Sequence, residues 1–171
     1  YTTLFRSAAA KKLRSSRGRV RAFLSAGGQS RDVSEPIPTG CGPIDDLLAG
    51  GVPRGAATQV YGQPAAGKTN LGLGAAVEVA ARGESALLID TEGISVDRME
   101  QLAAARGDVD DIASRIVVSE ATTFEEQEQA VRDAADLASQ VELIVLDSAT
   151  GFYRLERTER DEGEALRGVA R

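Results

Sequence analysis

Gly62-Gln63-Pro64-Ala65-Ala66-Gly67-Lys68-Thr69 fits the pattern G-x-x-x-x-G-K-[S/T] at every fixed position, and this octapeptide dictates most of what must surround it. Such a loop works only between a strand that delivers it and a helix that begins inside it. Small residues let backbone N–H groups close around a phosphate, and the positive end of the helix faces the same point. Both flanks are present. Residues 57–61 are a short strand candidate, and residues 68–82, rich in Ala, Leu and Val, read as a helix that Gly83 ends. Gly62, Gln63, Pro64, Ala65, Ala66, Gly67, Lys68, Thr69 and Asn70 are therefore the candidate nucleotide-contacting residues. Lys68 is expected to reach the β and γ phosphates, and Thr69 to give a hydroxyl to Mg²⁺. The cofactors expected are ATP and Mg²⁺.

Downstream, short apolar runs alternate with longer helical stretches. Residues 85–90 form a strand around Ala86-Leu87-Leu88-Ile89, 96–106 a helix, and 115–118 a third strand. Residues 124–140 are an acidic amphipathic helix that Thr122 or Thr123 can cap, and 142–147 are a fourth strand. The alternation predicts an α/β fold, a parallel sheet covered by helices on both faces. Ligands of such sheets bind at the carboxyl ends of the strands. Asp147 ends the fourth strand and is the candidate magnesium carboxylate, with Thr69 as its companion. Asp90-Thr91-Glu92-Gly93 ends the second, where Asp90 and Glu92 could both face a γ-phosphate. Glu92 is the candidate base or water-orienting residue, and Lys68 the candidate for charge stabilisation. A competing reading makes Glu92 a cap for the helix that follows it.

Composition removes several chemistries. With no histidine and only Cys41, a zinc site, a Cys–His pair and an internal disulfide are excluded. No apolar run reaches the roughly 18 residues of a membrane span, and no secretory signal is visible, so a cytoplasmic protein without membrane partners is expected. Charge divides the chain. Residues 1–31 carry eight basic and no acidic side chains, whereas residues 32–171 carry 12 basic and 26 acidic ones, a net −14. Lys68 is the only lysine of that acidic part, a composition resembling proteins of salt-loving archaea. Tyr1-Thr2-Thr3-Leu4-Phe5-Arg6-Ser7 resembles the in-frame translation of a sequencing-adapter oligonucleotide. Residues 1–31 are accordingly read as a basic, non-native head and residues 32–171 as a partial ATPase domain. The functional alternative for the head is a basic helix over 8–26 that binds phosphates. Residues 161–171 read as a helix without a stop signal, so the domain is expected to continue further.

Taken together, these residues resemble the archaeal and eukaryotic branch of the RecA family. Pro38-Thr39-Gly40-Cys41-Gly42-Pro43-Ile44-Asp45-Asp46-Leu47-Leu48-Ala49-Gly50-Gly51-Val52 is similar to the segment that precedes the phosphate loop there. Asp90-Thr91-Glu92-Gly93 resembles its catalytic-glutamate strand end. Leu146-Asp147-Ser148-Ala149-Thr150-Gly151-Phe152-Tyr153-Arg154 resembles its Walker B segment and the entry to its first DNA-binding loop. The likeness covers about residues 36–171 and implies a RecA-like P-loop ATPase core, incomplete at the C-terminus. The strand expected between the phosphate-loop strand and the Asp147 strand, and the second DNA loop, do not occur in the sequence. Gly93-Ile94-Ser95-Val96-Asp97-Arg98 is similar to an archaeal accessory paralogue rather than to RadA-type strand-exchange recombinases, and it implies that Arg98 stacks on adenine.

The resemblance further implies DNA contacts by Arg154, Arg157 and Arg160, a RadA-type recombinase as partner, and self-association. Glu156, Glu159, Asp161 and Glu162 lie among those arginines and cancel much of their attraction for a phosphate backbone. That favours an ATP-binding accessory factor of homologous recombination and DNA repair, a weak Mg-dependent ATPase that binds DNA. A strand-exchange recombinase and a KaiC-like signalling ATPase without DNA function stay open beside it.

Overall fold

The computed structural model describes residues 35–150 and 152. Its centre is β1 (Ala86–Asp90), which pairs in parallel with β2 (Ile116–Glu120) on one edge and β3 (Leu143–Asp147) on the other. The register sets Asp90 between Glu120 and Asp147, so three strands end level with one another. All of β1 is buried, which explains why its sequence is a continuous apolar run and not an alternating one.

Alternate side chains of the strands enter two separate cores. Ala86, Leu88, Ile116, Leu143 and Val145 pack under α2 (Lys68–Ala81), α3 (Val96–Ala104) and α4 (Val109–Ser114). Leu87, Ile89, Val117 and Leu146 pack on the other face beneath α5 (Phe124–Leu137), against Ala134 and Leu137. The α/β sandwich read from the sequence is therefore present, with helices on both faces. Gly83, at φ +84°, follows the end of α2 as expected.

Two short helices escaped the sequence reading. α1 (Gly42–Leu47) begins with a proline in its first turn, and α4 is capped by Asp108, whose carboxylate accepts the Asp111 N–H at 2.8 Å. Six residues are too few to reveal a helical period. The segment leading to α1 is tied to α2. The buried Thr39 donates its N–H and its hydroxyl to Asp45 Oδ1, both at 2.7 Å. A Cβ added at Gly74 of α2 would lie 2.4 Å from the Thr39 carbonyl oxygen, so only glycine admits this approach.

One expectation is corrected. Residues 57–61 form no strand and are exposed, with Tyr61 at 88%. A strand needs a ladder partner for its backbone groups, and among the described residues none lies beside this segment. Its position before the loop alone could not supply one. The expected helices over 8–26 and 161–171 lie outside the described residues.

Arg54 anchors the opposite end of the sheet from the strand ends that carry the carboxylates. Its guanidinium pairs with Glu142 just before β3, lies 3.8 Å from Glu84 just before β1, and donates from Nε to the Glu35 carbonyl at 2.6 Å. The Arg54 and Glu142 side chains are each only 11% exposed. Removing one member of such a pair strands the other's charge away from water. Arg54→Ala is expected to destabilise the fold by about 3–5 kcal/mol in a denaturant melt.

At the start of α5, Thr123 Oγ1 accepts the Glu126 N–H at 3.2 Å. The Glu126 carboxylate in turn accepts the Thr122 N–H at 2.8 Å and the Thr122 hydroxyl at 2.7 Å. The Thr122 backbone bond first, then its hydroxyl, hold the Glu126 carboxyl below its ordinary value. A depressed folded-state pKa adds stability that is present above the unfolded pKa and is lost as pH falls through the folded one. The melting-temperature gap between wild type and Glu126→Gln is therefore expected to shrink below about pH 4. A gap that stays constant from neutral to acid pH would contradict this.

Candidate nucleotide site

The loop of residues 62–67 is exposed, and α2 starts directly behind it. Gly67 takes φ +89° at the helix N-cap, a conformation open to glycine at no steric cost. Ala65 takes φ +61°, which a residue with a Cβ adopts at a cost of roughly 1–3 kcal/mol. Lys68 folds back over the loop, and its Nζ donates to the carbonyls of Gly62 at 3.1 Å and Gln63 at 2.9 Å. The ammonium thus stands over the same turn whose backbone the motif assigns to phosphate.

Thr69 and Asp147, which the sequence pairs as metal donors, line one small pocket with Leu73, Ile94 and Val145. Their meeting follows from packing, because α2 lies across β1 and β3 and brings its first turn to the strand ends. Asn70, one residue on, accepts the Arg98 Nε–H at 3.1 Å, and Arg98 also reaches Gln101 at 3.3 Å. The two outermost nucleotide candidates are therefore in direct contact.

The two carboxylates after β1 have different fates. Asp90 is 6% exposed and accepts the N–H groups of Glu92 at 3.1 Å, Gly93 at 2.8 Å and Ile94 at 2.7 Å. This corrects the expectation that both acids face a γ-phosphate. Asp90 is consumed in shaping the turn, while Glu92 remains exposed beyond it. Glu92 does not cap α3 either, since Ser95 fills that role by accepting the Arg98 N–H at 3.3 Å.

Ser148, Thr91 and Gln127 were not singled out from sequence. The Ser148 hydroxyl donates to Glu92 Oε1 at 2.9 Å, across 56 positions of chain. No spacing rule could have found that contact, which exists because the ends of β1 and β3 are neighbours. The Asp147–Ser148 peptide is cis. Arg154, Arg157 and Arg160 lie outside the described residues.

A comparison with protein families matches the Rad51 family over residues 30–167. The chain belongs to the Rad51 family. Its α/β core is thus a RecA-like one, as the motifs implied. Among curated relatives, the DNA repair and recombination protein RadB of Halobacterium salinarum is 54% identical over 96 residues, covering 56% of this chain and 41% of that protein. RadB of Methanococcoides burtonii is 39% identical over 95 residues, covering 56% and 41%. RadB of Methanobrevibacter smithii is 46% identical over 89 residues, covering 52% and 37%. The archaeal paralogue expected from residues 93–98 is RadB, and these relatives carry that name. The aligned part of the chain spans about two fifths of their length.

The Asp90 turn can be tested by itself in this Rad51-family chain. Asp90→Ala would leave three backbone N–H groups without their acceptor. It is expected to lower stability by about 3 kcal/mol in urea unfolding, whereas Asp90→Asn, which keeps one acceptor oxygen, costs less.

Proposed function

We propose that this chain is the ATP-binding part of an accessory protein of homologous recombination and DNA repair, a weak Mg-dependent ATPase that binds DNA and assists a RadA-type recombinase. The observation that carries the reading is the convergence of the Lys68–Thr69 turn, Asp147 and Glu92 at the carboxyl ends of β1 and β3. Ligands of open α/β sheets bind at this end.

In this reading the backbone of residues 62–67 wraps the phosphates and Lys68 exchanges its loop carbonyls for β- and γ-phosphate oxygens. Asn70 and Arg98 lie toward the adenine side. Thr69 and Asp147 offer hard oxygen donors from one pocket, the donor type that Mg²⁺ takes when phosphates and water complete its shell. Held by these residues, the ion would supply charge neutralisation at the phosphate oxygens. Glu92 orients a water whose oxygen bonds to the γ-phosphorus as the bond to the β–γ bridging oxygen breaks. The electron pair leaves with ADP, and the water's proton passes to Glu92 and on to solvent.

The RadB names of the relatives support the recombination role, and the acidic residues among Arg154, Arg157 and Arg160 support weak DNA binding over strand exchange. Among the described residues no helix is long and apolar enough to cross a membrane. A cytoplasmic setting, self-association, a separate basic head over 1–31 and adaptation to high salt belong to the same proposal. The last two rest on the charge change at residue 31 and on the acidic, lysine-poor remainder.

The test is an ATPase measurement on the full reading frame that carries this chain, in high-salt buffer, with and without single-stranded DNA. Slow hydrolysis that DNA changes little, and that Lys68→Ala lowers about a hundredfold or more, is expected. Strong stimulation by DNA would favour a strand-exchange recombinase instead. ATP binding without any DNA affinity would favour a signalling ATPase.

A further inference from the structure

Ser148 follows the candidate magnesium carboxylate and sits where β1 and β3 end side by side. Its backbone is fixed from both sides. The Ser148 N–H donates to Thr91 Oγ1 at 2.8 Å, and the Thr91 hydroxyl donates to the Ser148 carbonyl at 3.3 Å. The Thr91 N–H also donates to the Asp147 carbonyl at 2.8 Å, so the strand-end ladder runs into this pair without a break. The next residue is held from α5. Gln127 of α5, 6% exposed, donates from Nε2 to the Ala149 carbonyl at 3.2 Å. With its main chain set in this way, Ser148 presents one free donor, its hydroxyl, and that hydroxyl donates to Glu92 Oε1 at 2.9 Å.

Glu92 is exposed, and the Asp90 turn fixes its backbone but leaves its side-chain torsions open. A hydrogen bond to a carboxylate is among the stronger ones available to a serine, and it selects one rotamer of a side chain that would otherwise sample several. We propose that Ser148 is a positioning residue for hydrolysis: it holds the Glu92 carboxylate in its water-orienting pose, while Thr91 and Gln127 hold the segment that carries Ser148. The inference rests on the proposed ATPase reading and deepens it.

The experiment uses the full reading frame, with ATP turnover under single-turnover conditions and binding of a fluorescent ATP analogue measured in parallel. Ser148→Ala is expected to lower the rate about ten- to hundredfold, the worth of one hydrogen bond to a charged group, with analogue affinity unchanged. Ser148→Thr, which keeps the hydroxyl, is expected to recover most of the loss. In a Glu92→Gln background, Ser148→Ala is expected to add almost nothing, because both changes remove the same action. A Ser148→Ala rate equal to wild type would overturn the proposal, and so would an additive loss in the Glu92→Gln background. Loss of analogue binding in Ser148→Ala would overturn it as well, since the residue would then support the phosphate site and not Glu92. The underlying reading fails in a different way: Lys68→Ala would bind and turn over ATP like wild type, or Glu92→Gln would hydrolyse at the wild-type rate.

Discussion

The candidate residues at the strand ends, Asp147 and Glu92, depend on β1 being enclosed on both edges and both faces. The strand is flanked by β2 and β3 and covered by α2 on one side and α5 on the other. Burying side chains such as Leu87, Leu88 and Ile89 contributes about 1.5–3 kcal/mol each. An enclosed strand has little freedom in register, because a slip of one residue would exchange its two faces. The fixed register brings Asp90 level with Asp147, and this coincidence sets Thr91 and Glu92 within reach of Ser148.

The carboxylates at the strand ends divide their work according to burial. Asp90, inside, accepts from three backbone donors and so becomes a structural corner. Glu92, two residues on, inherits the direction of that corner while remaining open to water. A buried acid with its hydrogen bonds satisfied is a poor participant in chemistry, but it aims a neighbour well. Farther along α2, the Thr39–Asp45 bonds and the contact at Gly74 hold the pre-loop segment against the helix.

The sequence made some of this plain and hid the rest for definable reasons. The α2, α3 and α5 helices and the three paired strands were legible because each is long enough, or apolar enough, to show its period or its bounds. The phosphate loop was legible because its chemistry fixes residue types at fixed spacing. Residues 57–61 misled because a place just before a phosphate loop suggests a strand but says nothing of whether a partner strand stands alongside. Asp90 misled because two carboxylates in one short run look equivalent until burial separates them. Ser148 and Gln127 were invisible because their meaning lies in contacts between distant segments, 56 and 22 positions apart.

The Arg54 cluster acquires another significance as ionic strength rises. Surface pairs such as Arg132 with Glu128 sit in water, and mobile ions screen them within a few ångströms at about 1 M salt. Arg54 and Glu142, at 11% exposure, admit few such ions between them. In concentrated brine the outer charges of this acidic chain would become nearly silent toward one another. The clasp joining residue 54 to the roots of β1 and β3 would then be, among the described ion pairs, the one most shielded from the medium that quiets the others.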